Sequence, residues 1–310
     1  MTYANIVPAV FLRRPNRFIA EVVIDGGTGE RTGGGTSERT GERIGDRIGG
    51  RIGERTGGET VRVHVKNTGR CEELLAPGVT VYLDAPNVTK NPHRSTLYDL
   101  VAVQKGDRLI NMDSQAPNKA FGEFLRAGGY IPNVTLVKPE ARYGDSRFDF
   151  YVESVGGQGG ASTFHPDLQD GNRSDDGPDA DLLNGGMASY SQGQPGAGVC
   201  ASAVVRKAFI EVKGVTLEGD SVAWFPDAPT LRGVKHLNGL AKCLGQGYEA
   251  HAVFVVQMGD VRYFAPNDRT HPAFGEALRK ATAAGVKVSA WDCDVTAQGM
   301  AIGKEIPVRL

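Results

Sequence analysis

Alternating apolar and polar positions, the period-two pattern of half-buried strands, recur over residues 6–12, 17–24, 60–65 and 79–83, the last following the turn Ala76-Pro77-Gly78. Short strands separated by turn residues predict a small β-barrel over 1–87. From residue 97 the pattern becomes mixed. Strands at 97–104 and 108–112 are followed by a helix that starts after Pro117 and ends at Gly128-Gly129. Next come two strands interrupted by charges, around 147–150 and 209–213, then a helix over 230–244, a strand over 250–257, a helix over 272–284 and a strand over 286–293. Strands alternating with helices predict an α/β domain on a central sheet over 88–310.

Two stretches fall outside this pattern. Residues 26–60 carry a four-residue repeat (GERT, GGGT, SERT, GERI and onward) in which nearly every tetrad has a glycine. Glycine costs about 1 kcal/mol per helical position relative to alanine, and here acids and arginines cancel, so a loop spacer is expected. Residues 156–200 are rich in Gly, Ser, Asp and Gln without strand or helix periodicity, and read as a flexible insertion. With the second stretch set aside, the strands at 147–150 and 209–213 become near neighbours.

Charge sharpens the picture once the insertions are separated. The whole chain carries a formal −1, but residues 156–200 hold six Asp against one Arg, so the rest has a modest positive excess that suits a polyanionic partner. Cys71, Cys200, Cys243 and Cys293 stand singly, and the six His show no zinc-type spacing, so neither a disulfide framework nor a zinc site is expected. Without a leader pattern or an apolar run of membrane length, the expected location is the cytoplasm. The oligomeric state stays open, a homodimer included.

The chemistry sits where charge breaks into apolar strands. In Phe209-Ile210-Glu211-Val212-Lys213, alternation puts Glu211 and Lys213 on one face, and Arg147-Phe148-Asp149-Phe150 offers a second carboxylate from a neighbouring strand. Two carboxylates hold a divalent cation, and a nearby ammonium orients water and offsets phosphate charge, which is what phosphodiester cleavage needs. On the helix over 230–244, Arg232 shares a face with Lys235 and His236, a cationic surface for a nucleic-acid strand. Lys66, Asn67 and Arg70, with Arg13, Arg14 and Arg17 of the first hairpin, are the barrel's candidate nucleic-acid contacts.

The stretch 209–217, the stretch Phe225-Pro226-Asp227-Ala228-Pro229-Thr230-Leu231-Arg232-Gly233-Val234-Lys235-His236-Leu237, the segment His64-Val65-Lys66-Asn67-Thr68-Gly69 and the segment 142–150 together resemble the sugar fermentation stimulation protein A family. The resemblance spans the body of the chain outside the two insertions. It implies an amino-terminal OB-like β-barrel followed by a restriction-endonuclease-like, PD-(D/E)xK α/β domain with a central mixed sheet, and DNA as partner. Carried over residue by residue, it implies Asp149 and Glu211 as ligands of Mg²⁺ or Mn²⁺ and Lys213 as the residue that positions water. Glu123 would be an accessory acid on the first helix, Gln257 a polar strand-end residue of the catalytic set, and Arg147 a DNA contact beside Asp149. Two departures stand out: family members usually lack the insertions, and commonly have Asn where this chain has Gly214. The alternative to a nuclease is a non-catalytic DNA-binding regulator of sugar-utilisation genes on the same scaffold, because fold does not fix function. No aromatic-rich surface supports a sugar-handling enzyme.

Overall fold

In the computed structural model, the described residues are 1–24, 58–67, 69–85, 95–156 and 204–310. The first sheet contains β1 (Ile6–Asn16), β2 (Ile19–Ile24), β3 (Glu59–Val65), β4 (Thr80–Asp84), β5 (Asp99–Lys105) and β6 (Arg108–Asn111), in the order β3-β2-β1-β4-β5-β6. The sheet curls so that β3 pairs again with β5, His64 opposite Asp99 and Val65 opposite Leu100. Alternation supplies the core: Ala9 and Phe11, Ala20 and Val22, Val63 and Val65, and Val81 and Leu83 are buried on one side. Each fully buried Val, Leu or Phe contributes roughly 1.5–3 kcal/mol.

The boundary expected at residue 87 does not hold for the strands. β5 and β6 are hydrogen-bonded into the first sheet, which therefore runs to Asn111. A continuously buried run such as Leu100 to Val103 carries no period that assigns it to one sheet or the other.

The second sheet is mixed, ordered β15-β14-β12-β9-β8-β7, with β7 (Val134–Tyr143), β8 (Ser146–Val155), β9 (Val205–Val215), β12 (Glu249–Val256), β14 (Lys287–Thr296) and β15 (Gly299–Ile306). β9, β12 and β14 run parallel. Central β12 is buried along almost its whole length, as a strand covered on both faces must be. Helix α1 (Ala116–Arg126) covers one face through Ala120, Phe121 and Leu125. Helices α2 (Leu231–Leu244) and α3 (Pro272–Ala283) cover the other through Leu237, Leu240, Phe274 and Leu278. A small sheet of β10 (Leu217–Gly219), β11 (Val222–Phe225) and β13 (Tyr263–Pro266) sits beside them. Strands β7, β10, β11, β13 and β15 were absent from the sequence expectation. β7 is an edge strand with Pro139 inside it, which edges tolerate and which masks the strand pattern.

Strands β8 and β9 are direct antiparallel neighbours, paired from Phe150 opposite Ile210 to Val155 opposite Val205. Of the two stretches expected as insertions, 58–60 is described and enters β3, and Gly156 extends the β8–β9 ladder by donating to Val204 O at 2.9 Å. Residues 26–57 and 157–200 lie outside the described residues. Cys71, Cys243 and Cys293 are buried and free, and Cys200 lies outside the described residues. Among the described residues, no helix is long and apolar enough to cross a membrane.

Candidate active site

The site forms where the pleat of β8 slips. Phe148 and Phe150 are two apart and would share a face in a regular strand. Instead Phe148 joins the core under α2, its ring centroid 5.5 Å from Phe209, while Phe150 joins the core under α1, 6.0 Å from Phe121. Asp149 sits at the slip, just beyond the last ladder pair. Its Oδ2 accepts the Val212 N–H at 2.7 Å and its Oδ1 accepts Asn118 Nδ2 at 2.7 Å. Burial, followed by the charge of Glu211, lifts the Asp149 carboxyl to about 6, against the pull of the Val212 N–H, Lys213 and Asn118.

Glu211 is 3 % exposed. Its Oε1 accepts from both Lys213 Nζ and His236 Nδ1. Burial alone would lift this carboxyl; the hydrogen bond from His236 and the charge of Lys213 outweigh it and hold Glu211 below its ordinary value. An ionised carboxylate only accepts, so Nδ1 is the protonated nitrogen of His236. That leaves Nε2 as acceptor for Arg232 Nε at 3.4 Å, giving a hydrogen-bonded chain from Arg232 through His236 to Glu211. Glu211 Oε2 is buried without a hydrogen-bond partner among the described residues.

Of the residues singled out by sequence, Asp149, Glu211, Lys213, His236 and Arg232 come together. Glu123 does not. Its Oε2 pairs with the amino group of Met1 at 2.6 Å and its side chain is 61 % exposed. The α1 residue that reaches Asp149 is Asn118, five positions earlier and therefore on a different face of the helix. Nothing in the sequence distinguishes it beyond a polar residue after a helix-starting proline. Gln257 is 2 % exposed and bridges the sheets: its Nε2 donates to Asn111 O, Asn111 Oδ1 and Asp113 O at 3.0–3.1 Å. Among the described residues, no group of three His, Cys, Asp or Glu converges as a ready metal cage.

Residues 12–112 match the family model described as "SfsA N-terminal OB domain", and residues 199–299 match the one described as "Sugar fermentation stimulation protein RE domain". The chain is 42 % identical over 310 residues to the sugar fermentation stimulation protein homolog of Desulfitobacterium hafniense (strain Y51), covering 100 % of this chain and 99 % of that one. The chain belongs to the sugar fermentation stimulation protein family. Another member, from Ruminiclostridium cellulolyticum, is 40 % identical with both chains fully covered. The solved structure described as Pyrococcus furiosus SfsA in complex with Ca²⁺ superposes with a TM-score of 0.66 at 21 % identity, covering 100 % of this chain and 98 % of that one, and shares the fold. The family's amino-terminal model ends at 112, beside the end of β6 at Asn111, in keeping with the strand pairing.

The other cationic residues expected to meet DNA are mostly tied to neighbours. Arg14 donates to the carbonyls of Arg17, Asn67, Gly69 and Arg70, clamping the first hairpin to the turn after β3. Asn67 supports that turn through the Gly69 N–H, and Lys66 pairs with Asp113 at 2.6 Å. Arg13 pairs with Glu21, Arg147 with Glu140 and Lys235 with Asp145. Lys235 thus leans away from the Arg232–His236 line despite their common helix. Arg17 lies over the half-exposed Phe18 ring at 5.9 Å, and Arg70 lines a surface depression with Arg14 and Arg17.

Proposed function

We propose that this protein is a divalent-metal-dependent nuclease that binds DNA and hydrolyses its phosphodiester bonds, with a second domain of the PD-(D/E)xK type and Mg²⁺ or Mn²⁺ held by Asp149 and Glu211. The observation that carries this reading is the buried Oε2 of Glu211, without a partner among the described residues, beside an Asp149 whose ionised form is disfavoured by burial and by Glu211 itself. A buried carboxylate oxygen without a partner costs several kcal/mol unless a cation meets it, so the donor set fits a hard divalent ion. Ca²⁺ in the described Pyrococcus furiosus complex is in keeping with oxygen ligands of this kind.

When bound, such an ion polarises a phosphoryl oxygen and lowers the pKa of water. The chain's own residues prepare the rest. His236 and Lys213 hold Glu211 Oε1, which fixes the rotamer and leaves Oε2 free. Val212 N–H and Asn118 fix both oxygens of Asp149. Lys213, with its side chain 21 % exposed, places an ammonium beside the carboxylates for the phosphate and the attacking water.

The test incubates purified protein with double-stranded, single-stranded and branched DNA in Mg²⁺, Mn²⁺ or EDTA. Cleavage in metal, lost in EDTA and in Asp149→Asn or Glu211→Gln with DNA binding retained, is the expected result. DNA binding without cleavage on any substrate would replace this reading with the non-catalytic regulator.

A further inference from the structure

Where β9 continues past Lys213, between the two sheets, lies a cleft of about 310 Å³. Small-molecule sites run from roughly 300 to 1,000 Å³, so this one suits a single flat group and excludes a duplex. It is lined by Gly214, the residue after Lys213, by Trp224 and Asp227 from the second domain and by Asn67 from the first.

Two features give the cleft a chemistry. Gln257 lines it, and although the side chain is 98 % buried by its 2 % exposure, none of the described residues donates to its Oε1. Because Nε2 is fixed by three acceptors, Oε1 cannot rotate away. A Cβ placed on Gly214 would stand 2.6 Å from this oxygen and 2.6 Å from Pro117 Cγ, so the glycine is what lets the Gln257 amide lie against the backbone there. The second feature is Trp224. Its neighbour Phe225 turns into the core, 5.1 Å from Phe274 and 5.7 Å from Phe254. Strand alternation gives the Trp224 indole the opposite face of the strand, and Trp224, like Phe225, lines the cleft.

We propose that this cleft is a nucleobase pocket. It takes one unpaired base of a DNA strand whose backbone passes the Asp149–Glu211 pair; the base lies against Trp224, and one of its N–H groups donates to Gln257 Oε1. With acceptors at Gln257 and Asp227, the pocket favours the amino-bearing bases cytosine, adenine and guanine over thymine. The strand's path rests on the nuclease reading; the pocket's recognition of a base does not.

Binding is measured in EDTA, where cleavage does not intervene, using oligo-dC and an abasic strand of the same length against wild type and Trp224→Ala. Base–aromatic stacking predicts that Trp224→Ala weakens oligo-dC binding about tenfold and leaves the abasic strand unaffected. Oligo-dT should bind more weakly than oligo-dC. Equal losses on both strands, or displacement of the strand by glucose, would overturn the pocket. Should Trp224→Ala fail to fold, Trp291→Phe leaves Trp224 as the sole indole. Its emission should then be quenched by oligo-dC and not by the abasic strand, and equal quenching overturns the proposal. A protein that shows the base dependence and never cleaves DNA loses only the nuclease reading; one that cleaves without base dependence loses only the pocket.

Discussion

The Asp149 carboxylate accepts the backbone N–H of Val212 at 2.7 Å, the residue between Glu211 and Lys213, so the strand carrying one acid grips the other. The grip holds Asp149 against Glu211, and the cost appears in its titration. With the Asp149 carboxyl at about 6 in the folded protein and near 4 when unfolded, the folded state holds an extra proton between roughly pH 4 and 6. Asp149 therefore favours folding below that window and loses this advantage as pH rises through it. Glu211, held low, works in the opposite sense and loses stability as pH falls.

Asp149→Asn should consequently raise metal-free stability at pH 7, by on the order of 1–3 kcal/mol, and flatten the fall between pH 4 and 6 relative to wild type. Urea melts in EDTA across that range check it. A variant less stable than wild type at pH 7 would show that the hydrogen bonds to Asp149 outweigh its charge.

Titration with Mg²⁺ or Mn²⁺ should raise the melting temperature, by the equivalent of about 2.7 kcal/mol at a concentration one hundred times Kd. Asp149→Asn and Glu211→Gln should abolish the rise, whereas Lys213→Ala should keep it and lose cleavage. Differential scanning fluorimetry separates these outcomes.

The strand pattern made Asp149, Glu211 and Lys213 legible because charges are conspicuous in otherwise apolar strands. What escaped was geometry. Helical period relates residues of one helix to one another but does not say which turn meets the sheet, so nothing in it told that Asn118 and not Glu123 touches Asp149. Gln257 gave no sign that its amide clasps the first sheet, since a polar residue at a strand end reads as solvated. Likewise, the arginines of the first hairpin advertise phosphate contacts, yet Arg14 is consumed by four backbone carbonyls that only the folded turn assembles.

Arg232 and Lys235 should now separate in their effects. Arg232→Glu lies on the line to His236 and Glu211, and should weaken DNA binding and reduce the salt slope by about one unit. Lys235, already paired with Asp145, should change the slope less. Fluorescence anisotropy over a salt series distinguishes them, and equal slopes would return both residues to one common surface.

Replacing residues 157–203 with Asn-Gly should leave the melting temperature within a few degrees, because Gly156 and Val204 are already hydrogen-bonded as the end of a hairpin. Asp149 lies six residues before Val155, and Glu211 six after Val205, so this junction is about 20 Å of strand from the carboxylates. Cleavage and binding should survive the replacement. A large drop in melting temperature would mean that the excised segment packs on the body.

The three hydrogen bonds from Gln257 to Asn111 and Asp113, together with Glu218 of β10 held by Lys105 and Arg108, tie the last strand pair of the first sheet and the turn after it to the second sheet and to the small sheet beside it. Neither sheet can melt without stripping buried polar partners from the other. The amino-terminal sheet should therefore fold together with the second, because expressed alone it would expose Asn111 and Asp113 and forfeit the clasp. A single cooperative unfolding transition for the intact chain is the thermodynamic signature of that dependence.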